Sequence, residues 1–168
     1  TLPKKEVLHE MGTLKITKEN IRKVLSKLKI NKSPGPDGIH PRFLKEVAEA
    51  ICMPLVIIYN HSLQTHCVPH AWKRAKISAI FKKGNKKLAS NYRPVSLTAV
   101  LCKAMENIIR EHIINFMKQN KLFSKKQYGF ISGRSTSLQL LTVLDKWSEA
   151  LDNGIPVDCI YMDYKKAF

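Results

Sequence analysis

Residues 31–38 read Asn-Lys-Ser-Pro-Gly-Pro-Asp-Gly, and this octapeptide constrains the fold more than any other part of the chain. Two prolines and two glycines among eight residues are incompatible with a continuous helix or a central strand. Regular structure must therefore end before this segment and begin again after it. Helical spacing of apolar residues predicts a helix over about 17–28, with Thr17 as its N-cap. A second helix is predicted to begin at Pro41, with an inner face formed by Phe43, Leu44, Val47 and Ile51.

Three further helical segments follow. Pro54 is expected to break or kink the second helix, which then resumes towards Leu63. A long amphipathic helix is predicted from about Val100 to Lys118. Another is predicted from about Ser135 to Leu151, and its apolar side holds Leu138, Leu141, Leu144 and Leu151.

Two segments have the pattern of strands. Around Ile77, alternation of apolar and polar residues predicts a half-buried strand, and Gly84-Asn85 predicts a turn. Together with residues 92–98 this indicates an antiparallel hairpin over about 76–97, with a tip that carries Lys82, Lys83, Lys86 and Lys87. Residues 157–163 are expected to form a second, apolar strand with a carboxylate at its C-terminal end. Helices with a small amount of strand indicate the α+β class.

The charge of the chain indicates a polyanionic partner. The 168 residues include 29 basic and 13 acidic ones, a net charge of +16, and eight of the basic residues lie between Lys73 and Arg93. Nucleic acid is the commonest partner of such a surface. Four widely spaced cysteines favour reduced thiols and an intracellular setting. The longest nearly apolar run, residues 51–59, is too short to cross a bilayer, so no membrane association is expected.

Four sequence blocks together resemble one family. Ile160-Tyr-Met-Asp-Tyr-Lys-Lys-Ala-Phe168 resembles the first catalytic motif of reverse transcriptases from non-long-terminal-repeat (LINE- or jockey-like) retrotransposons. Residues 31–39 look like an upstream signature of that family. Lys82-Lys-Gly followed by residues 91–97 resembles its fingers hairpin, and residues 127–136 resemble the loop before its palm. The blocks occur in the family's order and cover roughly residues 20–168.

The resemblance implies a fingers subdomain, made of helices and a β-hairpin, and the first strand of a polymerase palm. This would be an incomplete right-hand polymerase fold. Residues 1–16 would be an N-terminal lead-in, and residues 17–168 a partial reverse transcriptase domain truncated within the first catalytic motif. The chain has no Asp-Asp pair, which a complete palm requires, so it is expected to be a fragment.

The resemblance also assigns roles to individual residues. Asp163 would be a catalytic, metal-binding aspartate, and the Tyr164 backbone carbonyl a further metal ligand. Phe168 would be the steric gate against a ribose 2′-hydroxyl, with the amides around Lys166 and Ala167 lying against the triphosphate. Arg93 and one of Lys82 or Lys83 would clamp that triphosphate. The residue types suit these roles. Mg²⁺ prefers hard oxygen ligands such as the carboxylate of Asp163, and the guanidinium of Arg93 offers phosphate a planar fork of donors.

A further set of residues is expected to contact nucleic acid. Gly129 and Gly133 would allow a close backbone approach, and Arg134 would hold a template phosphate. The full set is Lys86, Lys87, Gln127, Gly129, Gly133 and Arg134.

The implied function is that of an RNA-directed DNA polymerase, using Mg²⁺ or Mn²⁺ and dNTPs on an RNA template with a DNA primer. The remaining palm and thumb would come from the parent polyprotein. An intracellular location is expected, nuclear during integration if the element is active. Three alternatives remain. They are another reverse transcriptase branch such as a group II intron maturase, a non-catalytic or domesticated nucleic-acid-binding remnant, and a protein-interaction scaffold. The scaffold does not explain the pattern over 163–168.

Overall fold

The computed structural model describes residues 10–163, which contain five helices and one two-stranded sheet. In chain order the elements are α1 (Lys18–Ser26), α2 (Pro41–Glu46), α3 (Ala48–Thr65), β1 (Ala75–Phe81), β2 (Tyr92–Thr98), α4 (Val100–Gln119) and α5 (Thr136–Asp152). Short 3₁₀ turns occupy His70–Lys73 and Ala89–Asn91. This mixture of helices and antiparallel strands confirms the predicted α+β class. The chain divides into two compact units, one ending at Lys121 and the other beginning at Leu122.

Helix α1 begins where the sequence predicts. The Thr17 hydroxyl accepts a hydrogen bond from the Asn20 amide at 3.3 Å, and the Asn20 side chain accepts one from the Thr17 amide at 2.9 Å. This reciprocal cap satisfies two donors that a helix start otherwise leaves without partners. The helix buries Ile21, Val24 and Leu25.

The second predicted helix breaks at a different place. Helix α3 runs without interruption through Pro54, and the break lies at Val47, between α2 and α3. A proline inside a helix removes one backbone hydrogen bond, and burial of Cys52 and Leu55 on the same helix offsets that cost. Leu44 is buried as predicted, whereas Phe43 is 59% exposed, so its assignment to the inner face was wrong.

The core of the first unit lies where α1, α3 and α4 meet. Tyr59 is fully buried in this core, donates its hydroxyl to the Leu101 carbonyl at 2.7 Å, and packs edge-on against Trp72. Burial raises the pKa of Tyr59, so its hydroxyl remains a donor. Ile16 is also buried, and its amide donates to the Asn60 side chain at 2.9 Å.

The hairpin is confirmed, but its burial is not. Strands β1 and β2 pair antiparallel from Ala75↔Thr98 to Phe81↔Tyr92. All seven residues of β1 are exposed, which corrects the prediction of a half-buried strand. Alternation along a strand shows which side chains share a face, and it does not show that another element covers that face.

In the second unit, α5 is capped by Ser135, whose hydroxyl accepts from the Leu138 amide at 3.2 Å. The helix buries no residue, and its predicted apolar side is exposed. Residues 157–163 form no strand, which corrects that prediction. A strand requires a hydrogen-bonded neighbour, and among the described residues this segment has none. Over the described part of the chain, no helix combines the length and the apolarity needed to cross a membrane.

Candidate functional site

The register of the hairpin separates its side chains into two faces. Arg93 is paired with Ile80, whereas Phe81 is paired with Tyr92 on the opposite face. One step beyond β1, the Lys82 amide donates to the Asn91 carbonyl at 2.9 Å. The ladder register thus puts Lys82 on the Arg93 face, two positions along from Ile80. The structure therefore brings two of the predicted triphosphate-binding residues together, and Lys83 follows in the exposed tip.

Side-chain hydrogen bonds hold the tip of the hairpin in one conformation. The Asn85 side chain accepts from the Lys87 amide, and the Asn91 side chain donates to the Asn85 carbonyl, both at 2.9 Å. The Tyr92 hydroxyl donates to the Lys86 carbonyl at 2.8 Å. Gly84 has a φ of 87°, a conformation that glycine adopts without the steric cost of a side chain. The predicted turn at Gly84-Asn85 is confirmed.

Lys86 and Lys87 lie beside the aromatic pair. The rings of Phe81 and Tyr92 meet edge to face at 5.5 Å, and the Lys86 ammonium lies 5.6 Å from the centre of the Phe81 ring. An open cavity of about 390 Å³ is lined by Ala79, Lys86, Lys87, Ala89, Tyr92 and Pro94. Aromatic rings next to lysines form a surface on which a base can stack while its phosphate meets a cation.

Phe81 and Tyr92 are the site residues that sequence reasoning missed. The available signal was their position at the two ends of the hairpin tip, immediately outside the lysines. Their register shows that they are directly opposed.

The loop that precedes α5 brings together the other predicted nucleic-acid contacts. Arg134 Nη1 donates to the carbonyls of Ser124, at 2.6 Å, and of Gln127, and the guanidinium lies 5.9 Å from the centre of the Tyr128 ring. The Gln127 side chain donates to the Gly129 carbonyl at 3.3 Å. Arg134 and Gln127 thus hold the loop together from within.

Two positions in this loop have a left-handed backbone. Gly133 has a φ of 82° and Phe130 a φ of 61°, and the Phe130 side chain is fully exposed. A left-handed conformation is uncommon for a bulky residue, so the loop carries local strain next to an exposed aromatic ring.

Asp163 is exposed and lies in irregular backbone. The other residues predicted around it, Tyr164, Lys166, Ala167 and Phe168, lie outside the described residues. Within residues 10–163, no group of three His, Cys, Asp or Glu side chains is arranged to hold a metal ion. Because Mg²⁺ takes near-octahedral oxygen coordination, Asp163 and its described neighbours do not by themselves form a metal site.

The 31–38 segment has a structural role. Gly35 is buried against the chain where β2 passes into α4, and a Cβ atom added there would lie 2.6 Å from the Thr98 carbonyl oxygen. The Asp37 side chain accepts from the Ile39 amide at 3.3 Å, which forms a local turn. The segment therefore positions the base of the hairpin.

Comparison with known proteins gives one matching family model and several similar proteins. Residues 80–168 match the model of the family described as reverse transcriptase (RNA-dependent DNA polymerase). The chain is 30% identical, over 151 residues, to the probable RNA-directed DNA polymerase from transposon BS of Drosophila melanogaster. It is 31% identical, over 154 residues, to the RNA-directed DNA polymerase from mobile element jockey of Drosophila funebris. The alignments cover 89% and 91% of this chain but 17% of each relative, so the chain spans less than a fifth of their length.

Proposed function

Because the chain belongs to the reverse transcriptase (RNA-dependent DNA polymerase) family, we propose that it is part of a retrotransposon enzyme that copies RNA into DNA. The observation that carries this proposal is the span of the family match, residues 80–168. That span includes the hairpin tip, Arg93 and Asp163.

In this proposal, Arg93 and Lys82 or Lys83 bind the triphosphate of an incoming dNTP. The shared face of Arg93 and Lys82 supports this role, because two cations on one face can meet the same phosphate chain. Lys86 and Lys87 contact a nucleic-acid strand beside the aromatic pair on the other face. The separation allows a nucleotide and a strand to be held at the same time without competing for the same charges.

Asp163 supplies one carboxylate for a divalent ion, Mg²⁺ or in its place Mn²⁺, and the Tyr164 carbonyl another oxygen. The ion would neutralise phosphate charge during nucleotidyl transfer. Its other ligands come from residues beyond those the structure describes. Lys166 and Ala167 lie along the triphosphate in this proposal, and Phe168 excludes ribonucleotides.

The partners of the proposed enzyme are an RNA template, a DNA primer and the remaining palm and thumb of a longer parent protein. The division of the chain into two compact units is not evidence for any of these partners. The similarity to relatives more than five times as long supports a polyprotein context. An intracellular location, with a nuclear phase during integration, belongs to the same proposal.

The proposal is tested by primer extension with the parent protein, on an RNA template with a DNA primer and dNTPs. Asp163→Asn should reduce incorporation by at least about a thousandfold, as expected when a group that acts on the transition state is lost. Asp158→Asn, an exposed aspartate five positions upstream, is the matched control and should retain activity. Phe168→Ala should admit ribonucleotides.

The 168-residue chain alone is expected to extend no primer, since it has no Asp-Asp pair. Synthesis by this chain that survives Asp163→Asn would show that the active site has been misassigned. A parent protein that binds template and primer but incorporates nothing would instead support the non-catalytic, nucleic-acid-binding alternative.

A further inference from the structure

A second cavity lies at the base of the hairpin, away from its tip. It has a volume of about 440 Å³ and is bounded by the C-terminal end of α1, the 27–41 segment, the end of β2 and the first turns of α4. Val24, Val100 and Ala104 line it and are buried. Its rim carries four exposed lysines, Lys27, Lys29, Lys32 and Lys103. A cavity of this size matches the volume that small ligands occupy.

The positive charge around the cavity is not balanced by acidic residues in its lining. No acidic residue lines it, and the neutral polar groups present are Ser33 and Asn107. Among residues 10–163, no carboxylate forms an ion pair with any of the four lysines. Four like charges around an apolar floor repel one another, and an anion bound among them relieves that repulsion.

The basic residues of α1 itself, in contrast, form ion pairs. Lys18 and Arg22 both contact Glu49 on α3, and Lys23 contacts Glu111 on α4 at 3.1 Å. These ion pairs tie α1 to the other core helices. Within residues 10–163 the lysines around the cavity have no such ion-pair partner, which leaves their charges available to a ligand.

The cavity is continuous with one face of the hairpin. Leu97 lines it and lies on the same face of β2 as Arg93, four positions away. Four residues of strand correspond to about 13 Å, roughly the span of two nucleotides in an extended strand. Lys76 is the register partner of Leu97 and adds a further cation to this face, at its cavity end.

We infer that this cavity binds one nucleotide of a single-stranded nucleic acid, with the phosphate among the lysines and the base or sugar on the apolar floor. The combination of cationic rim and apolar floor matches a nucleotide, which carries both kinds of surface. The link to the Arg93 face favours a polymer over a free nucleotide. The inference concerns binding by residues other than Asp163, and it holds whether or not the protein catalyses synthesis.

The test is fluorescence anisotropy with a labelled single-stranded RNA and the 168-residue chain, measured over a range of salt concentrations. The triple variant Lys29→Ala, Lys32→Ala, Lys103→Ala should lose about tenfold in affinity, and its salt slope should fall by about 2. The control triple, Lys45→Ala, Lys118→Ala, Lys146→Ala, removes the same charge from exposed positions outside the cavity. It should have a clearly smaller effect, and equal losses in the two triples would overturn the inference.

A second pair of variants leaves the charge unchanged. Asn107→Trp should fill the cavity and weaken RNA binding, whereas Asn115→Trp, at an exposed position of the same helix outside the cavity, should not. Equal affinities for these two variants, with helical circular dichroism intact, would overturn the inference.

Two competitors identify the occupant. In the first competition, metal-free ATP and unlabelled RNA are compared as competitors of the labelled RNA. If ATP displaced it at much lower concentrations than the unlabelled RNA does, the cavity would be assigned to a free nucleotide and the polymer assignment would be overturned. If poly-glutamate bound as tightly as the RNA, and the cavity variants weakened its binding, the cavity would be assigned to an acidic peptide and the nucleic-acid assignment would be overturned. Weak competition by both is the expected result.

Discussion

At the scale of single residues, Gly35 couples two parts of the chain that are far apart in sequence. A Cβ atom added to it would lie 2.6 Å from the Thr98 carbonyl oxygen and 2.7 Å from the Ala99 α-carbon, so no side chain has room there. The neighbouring atoms belong to the backbone at the junction of β2 and α4, which cannot move aside as a flexible side chain can.

We expect Gly35→Ala to lower the free energy of unfolding by about 1–3 kcal/mol, the usual cost of overpacking. Gly12→Ala is the matched control, because a Cβ at Gly12 meets nothing within 4 Å, and its effect should be close to zero. Chemical denaturation monitored by circular dichroism measures both. Equal stability of the two variants would show that the backbone at Thr98 yields easily.

Glu49 makes the stability of the first unit depend on pH. Hydrogen bonds from Lys18 and then from Arg22 lower the pKa of its carboxyl below the ordinary value of 4.5. A carboxyl with a lowered pKa in the folded state contributes stability above its unfolded pKa and loses it as pH falls towards the folded value.

Glu49→Gln should therefore lower Tm at pH 7, with a difference from the unmodified chain that shrinks as pH falls below about 4.5. Thermal melts at pH 7, 5 and 3 check this. Glu46→Gln, at an exposed glutamate that makes no ion pair with any residue of the described range, should show no such trend. A difference that stays constant with pH would mean that the ion pairs do not contribute.

At the scale of elements, the hairpin is a preorganised cationic surface. Its tip is held by the Asn85, Asn91 and Tyr92 hydrogen bonds, so the tip lysines lose less conformational freedom on binding than they would on a flexible loop. The Arg93 face and the aromatic face are opposite surfaces of the same hairpin.

Replacing Lys82, Lys83, Lys86 and Lys87 with alanine should flatten the salt dependence of RNA binding. The slope should fall by up to about 3, because each phosphate contact contributes about 0.7 for a single strand. The quadruple variant Lys15→Ala, Lys45→Ala, Lys118→Ala, Lys146→Ala carries the same net charge and keeps the tip. If the two variants gave the same slope, the hairpin tip would not be the main contact.

At the scale of the whole molecule, burial is concentrated in the first unit. Among the residues that the structure describes, the buried apolar side chains all lie in the range 16–108, whereas α5 has exposed leucines along its length. The apolar side chains of the core helices are therefore expected to contribute much more to stability than those of α5, although both show helical periodicity of apolar residues.

Leu25→Ala should cost about 2–5 kcal/mol, because Leu25 is fully buried and its removal leaves a cavity. Ile57→Ala, in the same unit but at a side chain 67% exposed, should change stability by no more than about 0.5 kcal/mol. Urea denaturation gives both values. A large effect at Ile57 would mean that another surface covers it in solution.

Local interactions allowed much of this protein to be predicted from its sequence. Residues within a few positions of each other determine the Thr17 cap, the turn at Gly84 and the helix starts at Pro41 and near Ser135. The sequence motifs also sufficed to identify the family and to predict the hairpin that carries Lys82 and Arg93. The roles assigned to Asp163 and to the residues that follow it stay predictions.

Tertiary structure alone decided which apolar faces are covered. Periodicity shows that one side of β1 or α5 is apolar, but burial requires a second element packed on that side. No element within residues 10–163 covers β1. Residues 157–163 have strand-like composition without a paired neighbour in the described chain. The fold also brings Lys103 next to Lys27, Lys29 and Lys32, and no local pattern connects residues so far apart in the chain.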